Sequence, residues 1–121
     1  MGGLILLLLD TNIVIAWTNG HAAVMAELEG KHLAISVITQ IELLAYPTLK
    51  DTEISHIHSI LTLLQVYTIT PAIVNATVDF RKQYNIKLPD AIIAATAFAL
   101  KCPLYTFDKG FNKIQEISSL N

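Results

Sequence analysis

Four acidic side chains, Asp10, Glu42, Asp90 and Asp108, stand where residue type and surroundings could do chemistry. Asp10 directly follows the apolar run Leu4–Leu9, and Asp108 follows Leu104–Phe107 in the same manner. Asp90 lies next to Pro89 at the opening of an Ala-rich helical stretch, where the positive end of a helix tolerates a carboxylate. Glu42 is flanked by Ile41, Leu43 and Leu44 and has no Lys or Arg three or four residues away. Its charge is therefore expected to be costly unless paired or metal-bound. Each Asp alone also has an ordinary use, Asp10 as a helix N-cap, Asp90 as a first-turn acid and Asp108 as a turn former. Brought together and screened from water, the four would repel each other and raise their own pKa values unless a cation compensates. An all-oxygen donor set without clustered His or Cys favours Mg2+ or Mn2+ over Zn2+. His21, His32, His56 and His58 are scattered, and the rings of His56 and His58, two positions apart on a helix, point apart. None is expected to be a ligand.

Convergence requires elements that deliver the four acids to one place. Leu4–Leu9 shows no polar alternation, the pattern of a strand covered on both faces in a parallel sheet. A helix over Thr11–Trp17 ending at Asn19-Gly20 follows, then another over His21–Glu29 ending at Gly30. Leu33–Ser36 reads as the next strand, and Ile38, Ile41, Leu44 and Ala45 share one face of the helix after it, which Pro47 stops. Ile54, Ile57, Ile60, Leu61 and Leu64 mark an amphipathic helix from Asp51 to Gln65, and Val66–Ile69 follows as a strand. Thr70 as cap and Pro71 at the first turn lead into a helix over Ile73–Tyr84. Leu88-Pro89-Asp90 opens another that reaches Leu100. Pro103–Phe107 is a further strand, broken by Asp108-Lys109-Gly110, and Ile114–Ile117 reads as a last short one. The alternation predicts a three-layer α/β/α domain, spanning residues 1–121, around a central parallel sheet of four or five strands. Right-handed crossovers put the carboxyl ends of the strands on one edge, where such sheets place their sites.

At 121 residues, with 53% in the apolar set and 15% charged, the chain can build one sizeable core and is no disordered polyelectrolyte. High apolar content also hints at a dimer or partner interface. The net charge of −2 argues against a simple basic coat for nucleic acid. It is unevenly spread, however: residues 1–80 carry two cations against seven acids, and residues 81–121 six against three. The basic last third could face an anion, or the split could be random surface placement. The lone Cys102 cannot make an internal disulfide, which points to a reducing, cytoplasmic setting and a core position beside Pro103. Leu4–Leu9 is too short to span a bilayer, which takes ~20 residues, so no membrane association is expected. The Met-Gly start has Leu6 where a myristoylation site needs Ser or Thr.

Four blocks of sequence carry a family resemblance. They are Leu8-Leu9-Asp10-Thr11-Asn12-Ile13-Val14-Ile15, Ser36-Val37-Ile38-Thr39-Gln40-Ile41-Glu42-Leu43-Leu44, Leu88-Pro89-Asp90-Ala91-Ile92-Ile93-Ala94-Ala95-Thr96-Ala97 and Thr106-Phe107-Asp108-Lys109-Gly110-Phe111. In this order and spacing, from Leu4 to about Ile117, they resemble PIN-domain ribonucleases, and most closely the VapC-type toxins. The resemblance implies a Mg2+- or Mn2+-dependent endoribonuclease, made beside an antitoxin that occludes its site, and a homodimer. It implies an acidic site of Asp10, Glu42, Asp90 and Asp108, with Thr106 in a supporting polar position and Asn12 beside it. A metal held by Asp10, Asp90 and Asp108 would polarise the phosphodiester and acidify a bound water, with Glu42 ligating a metal or orienting that water. The products would be a 5′-phosphate and a 3′-hydroxyl. Lys109, Lys113, Arg81, Lys82 and Lys87 lie near the third and fourth acids and could steer the RNA backbone, or be solvated helix faces. One position departs from the pattern: many such toxins carry an acid two residues after the fourth-block Asp, where this chain has Gly110.

Three other readings compete. A haloacid-dehalogenase-type phosphatase needs a second Asp two residues after the first, where Asn12 stands. A phospho-accepting receiver domain needs paired acids after its first strand and a Lys ending its last, and has neither here. A PIN fold acting as a non-catalytic RNA- or protein-binding module is the alternative that survives, and loss of one of the four acids would favour it.

Overall fold

The computed structural model describes residues 5–46 and 49–121. The strand start at Leu4, the helix stop at Pro47 and the Gly2 position of the myristoylation motif lie outside the described residues.

Strand β1 (Leu6–Leu9) leads into helices α1 (Thr11–Thr18) and α2 (Ala22–Leu28), then β2 (His32–Ser36) and α3 (Val37–Leu44). Helix α4 (Asp51–Leu61), β3 (Gln65–Tyr67), α5 (Pro71–Gln83) and α6 (Leu88–Leu100) follow. Strand β4 (Leu104–Tyr105), a 3-10 turn over Lys109–Lys113 and β5 (Ser119–Leu120) complete the order. The strands form one sheet in the order β3-β2-β1-β4-β5, and every pairing is parallel. This is the expected α/β/α architecture with five strands.

The run of leucines in β1 is explained by its two covered faces. Leu8 packs with Ile73, Phe80 and Ile93 of α5 and α6, whereas Leu7 and Leu9 pack with Ile13, Val14, Val24, Ile57 and Ile60 of α1, α2 and α4. A strand buried on both sides has no place for polar alternation. Thr70 caps α5 by accepting the N–H of Ile73, and Pro71 sits in the first turn where its missing N–H costs nothing.

Beside shifts of one or two residues at the ends of other elements, two boundaries differ more from the sequence reading. Helix α4 ends at Leu61 rather than running to Gln65, because the chain turns through Thr62–Leu64 and Gln65 already pairs with Ala34 in the sheet. The last strand is Ser119–Leu120 and not Ile114–Ile117. Ile114 is fully buried and Ile117 packs against the same cluster, so both turn inward from an irregular segment, and the pairing with β4 is made only afterwards.

Topology positions the site. From β1 the chain builds outward through β2 and β3, then crosses to the other side of β1 with β4. The reversal opens a crevice at the carboxyl ends of β1 and β4, where doubly wound sheets bind their ligands.

Candidate active site

Asp10 leaves β1 at that crevice and is only 6% exposed. It caps α1, with Oδ1 accepting the N–H of Thr11 at 2.8 Å, so the N-cap role that sequence alone allows is real. Oδ2 has a different partner: the Thr106 hydroxyl donates to it at 2.6 Å from the neighbouring strand end. The same hydroxyl accepts the N–H of Asp108 at 2.9 Å. Asp108 turns its Oδ1 back to the N–H of Gly110 at 2.8 Å, and so also keeps its turn-forming use. A Cβ at position 110 would stand 2.9 Å from Asp108 Oδ1, so a larger residue there would make that carboxylate shift.

Glu42 is exposed on α3, which corrects the expectation of a costly buried charge: Leu43 turns into the core and the carboxylate does not. It is held instead by the Thr11 hydroxyl, 2.6 Å from Glu42 Oε1 and 3.1 Å from the hydroxyl of the fully buried Thr39. Asp90 lies half-buried in the first turn of α6. Asn12 uses its Oδ1 to accept the N–H of Phe107 at 3.3 Å, linking the first turn of α1 to the end of β4.

Electrostatics tie these groups together. Burial raises the Asp10 carboxyl above its ordinary range, and the charges of Glu42 and Asp108 add to the rise, while the bonds from Thr106 and Thr11 oppose it. Asp90 is raised by burial first, then by Asp10, Asp108 and Glu42, with Lys87 pulling the other way. Among the described residues no Lys or Arg forms an ion pair with any of the four.

Among the described residues, no three His, Cys, Asp or Glu side chains converge closely enough to form a ready metal shell. The bonds above account for that: Glu42 is drawn to Thr11 and Asp108 to its own turn. The donor chemistry nevertheless fits a hard divalent cation, being four mutually repelling carboxylates without an ion pair to Lys or Arg among the described residues. Asp10, Asp90, Asp108 and Glu42 are the residues that would hold it.

The basic residues divide. Lys87 and Lys113 line a depression of about 230 Å³ together with Asp90 and Asp108, and Lys113 also donates to the Asn85 carbonyl at its rim. Lys109 is exposed directly after Asp108. Arg81 donates to the Ile86 carbonyl and so fastens the α5–α6 connection. Lys82 borders a different hollow, with Asp79, Phe98 and Glu116. Sequence reasoning missed Thr11, which bonds Glu42, and Thr39, which bonds Thr11. Adjacency to Asp10 was the available signal for Thr11, and Thr39 offered none.

Residues 7–117 match the family model of the PIN domain, and the chain belongs to the PIN-domain family. The resemblance read from the four sequence blocks is thereby borne out. A chain of a toxin–antitoxin complex from Klebsiella pneumoniae is 31% identical, with a TM-score of 0.82 over 94% of this chain and 95% of that one. A chain of VapBC-1 from nontypeable Haemophilus influenzae is 25% identical, with a TM-score of 0.81 over 97% and 98%. VapBC2 from Rickettsia felis, bound to a DNA fragment from its promoter, contains a chain 23% identical with a TM-score of 0.86, again over 97% and 98%. No curated protein matches the sequence. Among the described residues no helix is long and apolar enough to cross a membrane.

Proposed function

We propose that the protein is a metal-dependent endoribonuclease, the toxin of a toxin–antitoxin pair, with Asp10, Glu42, Asp90 and Asp108 as its acidic centre. The observation that carries this reading is the buried Asp10 carboxylate, lifted in pKa by burial and by two further acids, with no cation among the described residues to offset them. The four carboxylates would hold Mg2+ or Mn2+, which would supply Lewis acidity toward the phosphodiester and lower the pKa of a bound water. The protein's part is placement. Thr106 fixes Asp10 from the neighbouring strand end, Thr11 orients Glu42 at the rim, and Lys87, Lys113 and Lys109 draw the RNA backbone toward Asp90 and Asp108. The toxin role and an antitoxin partner are supported by the toxin–antitoxin complexes among the structural neighbours. A homodimer is supported by exposed apolar side chains such as Ile41, Val74 and Val78.

The test is incubation of purified protein with structured RNAs, with and without Mg2+ or Mn2+. Metal-dependent cleavage that Asp10→Asn abolishes supports the reading. Equal RNA loss with wild type and Asp10→Asn refutes it, and RNA binding without cleavage at any metal concentration leaves the non-catalytic module in its place.

A further inference from the structure

We propose that Phe107 is a stacking platform for a nucleobase of the RNA substrate, held rigid at the rim of the acidic site; this rests on the nuclease reading above. Phe107 stands between the residue that bonds Asp10 and the residue that bears the fourth carboxylate, with neighbouring Cα atoms only ~3.8 Å away. Its ring is 46% exposed. Tyr46 and Phe98, the other strongly exposed aromatics of the described residues, follow α3 and end α6, away from the carboxyl edge of the sheet.

Exposure at this place is fixed, not incidental. The Phe107 N–H donates to Asn12 Oδ1 at 3.3 Å, and the preceding carbonyl, of Thr106, accepts from Asn121 Nδ2 at 2.8 Å. The His21 ring lies 5.8 Å away at 44°, and Tyr105 meets Phe107 edge-on at 6.4 Å. His21 is itself anchored, its Nδ1 accepting the N–H of Val24 to cap α2. One side of the ring is thus braced while nearly half its area faces solvent. Asn12 bonds the Phe107 N–H, and Asp108 and Lys109 follow it along the chain, polar groups that give little to an apolar peptide face. A nucleotide suits it better, offering a flat π-face to the ring and a phosphate to the adjacent site. Stacking is tolerant of base identity but requires an unpaired base whose face is free.

The experiment uses the full chain carrying Asp10→Asn, so that RNA is not consumed, with and without Phe107→Leu or Phe107→Trp. The probe is a short single-stranded RNA with 2-aminopurine placed at successive positions. The expected result is quenching at one position that Leu abolishes and Trp keeps, with about a tenfold loss of affinity for Leu. In the active protein, Phe107→Leu is expected to raise KM about tenfold while kcat stays within about twofold, as for lost ground-state and transition-state stacking alike. Thermal melts of the two variants confirm folding, and Trp reports should Leu melt early. Binding and cleavage unchanged in the Leu protein would overturn the stacking role and leave the nuclease reading intact, including where Leu weakens only a protein partner. Absence of RNA binding by the Phe107 protein would overturn both.

Discussion

The Thr106 hydroxyl is bonded to Asp10 Oδ2 at 2.6 Å, a contact that joins the ends of two adjacent parallel strands and lies fully buried. Thr106→Val removes the donor to Asp10 and the acceptor for the Asp108 N–H together. Leaving such groups unsatisfied costs about 1–3 kcal/mol, measurable by urea denaturation. Because the bond favours the charged carboxylate, its loss also raises the Asp10 pKa further, so the acid limb of the cleavage profile moves to higher pH. Thr106→Ser restores both; a Ser variant behaving like Val would contradict the assignment.

Metal-free stability falls as pH rises. Asp10 and Asp90 are both raised above the ordinary carboxylate range, so the folded protein binds more protons than the unfolded chain in the window just above that range. Stability is greatest on the acid side of the window and is lost as pH climbs through the raised values. Mg2+ or Mn2+ is expected to raise Tm at pH 7.5, through a stabilisation of about 2.7 kcal/mol at a hundredfold excess over Kd, and to do little at pH 4. Equal stabilisation at both pH values would show that the ion binds elsewhere.

Thr11→Val frees Glu42 from the bond that orients it. The expectation is a fall in kcat of about tenfold, together with a loss of stability of about 1–3 kcal/mol because the buried Thr39 hydroxyl loses its bond to Thr11. Full activity in the Val variant would remove Thr11 from the site's supporting residues.

Gly110→Ala places a Cβ 2.9 Å from Asp108 Oδ1 and displaces that carboxylate from its turn. Cleavage is expected to drop several-fold without a change in denaturation midpoint. A comparable loss of midpoint would instead mean that the turn itself supports the fold.

Cys102 is 8% exposed, and burial pushes its thiol up to about 11. It is expected to resist alkylation in the native protein at neutral pH and to react fully in denaturant, as mass spectrometry reads directly.

Much of this was legible in the residues. The unbroken leucines of β1, the Thr70-Pro71 start of α5 and the Asp after each central strand follow from local rules, so element order and sheet edge could be read directly. The failures have a common cause. Ile114 and Ile117 looked like a strand because apolar spacing does not distinguish a pleat from an irregular turn folded into a core. Glu42 looked buried because its neighbours are apolar, yet helical rotation carries it to the surface beside Leu43. Thr39 acts through a contact across the fold that no local pattern encodes, whereas Thr106 was legible through the fourth sequence block.

The bond between Thr106 and Asp10 spans 96 positions. A ribosome-bound chain that has not yet released β4 already carries Asp10, Glu42 and Asp90, but holds the first only through its cap to Thr11 and lacks Thr106 and the fourth acid. Assembly of the proposed centre therefore waits on a long-range pairing, and non-local pairings are slow to form. A chain stalled before β4 would lack the bond that fixes Asp10 Oδ2, and its acidic centre would stay incomplete until that strand docks.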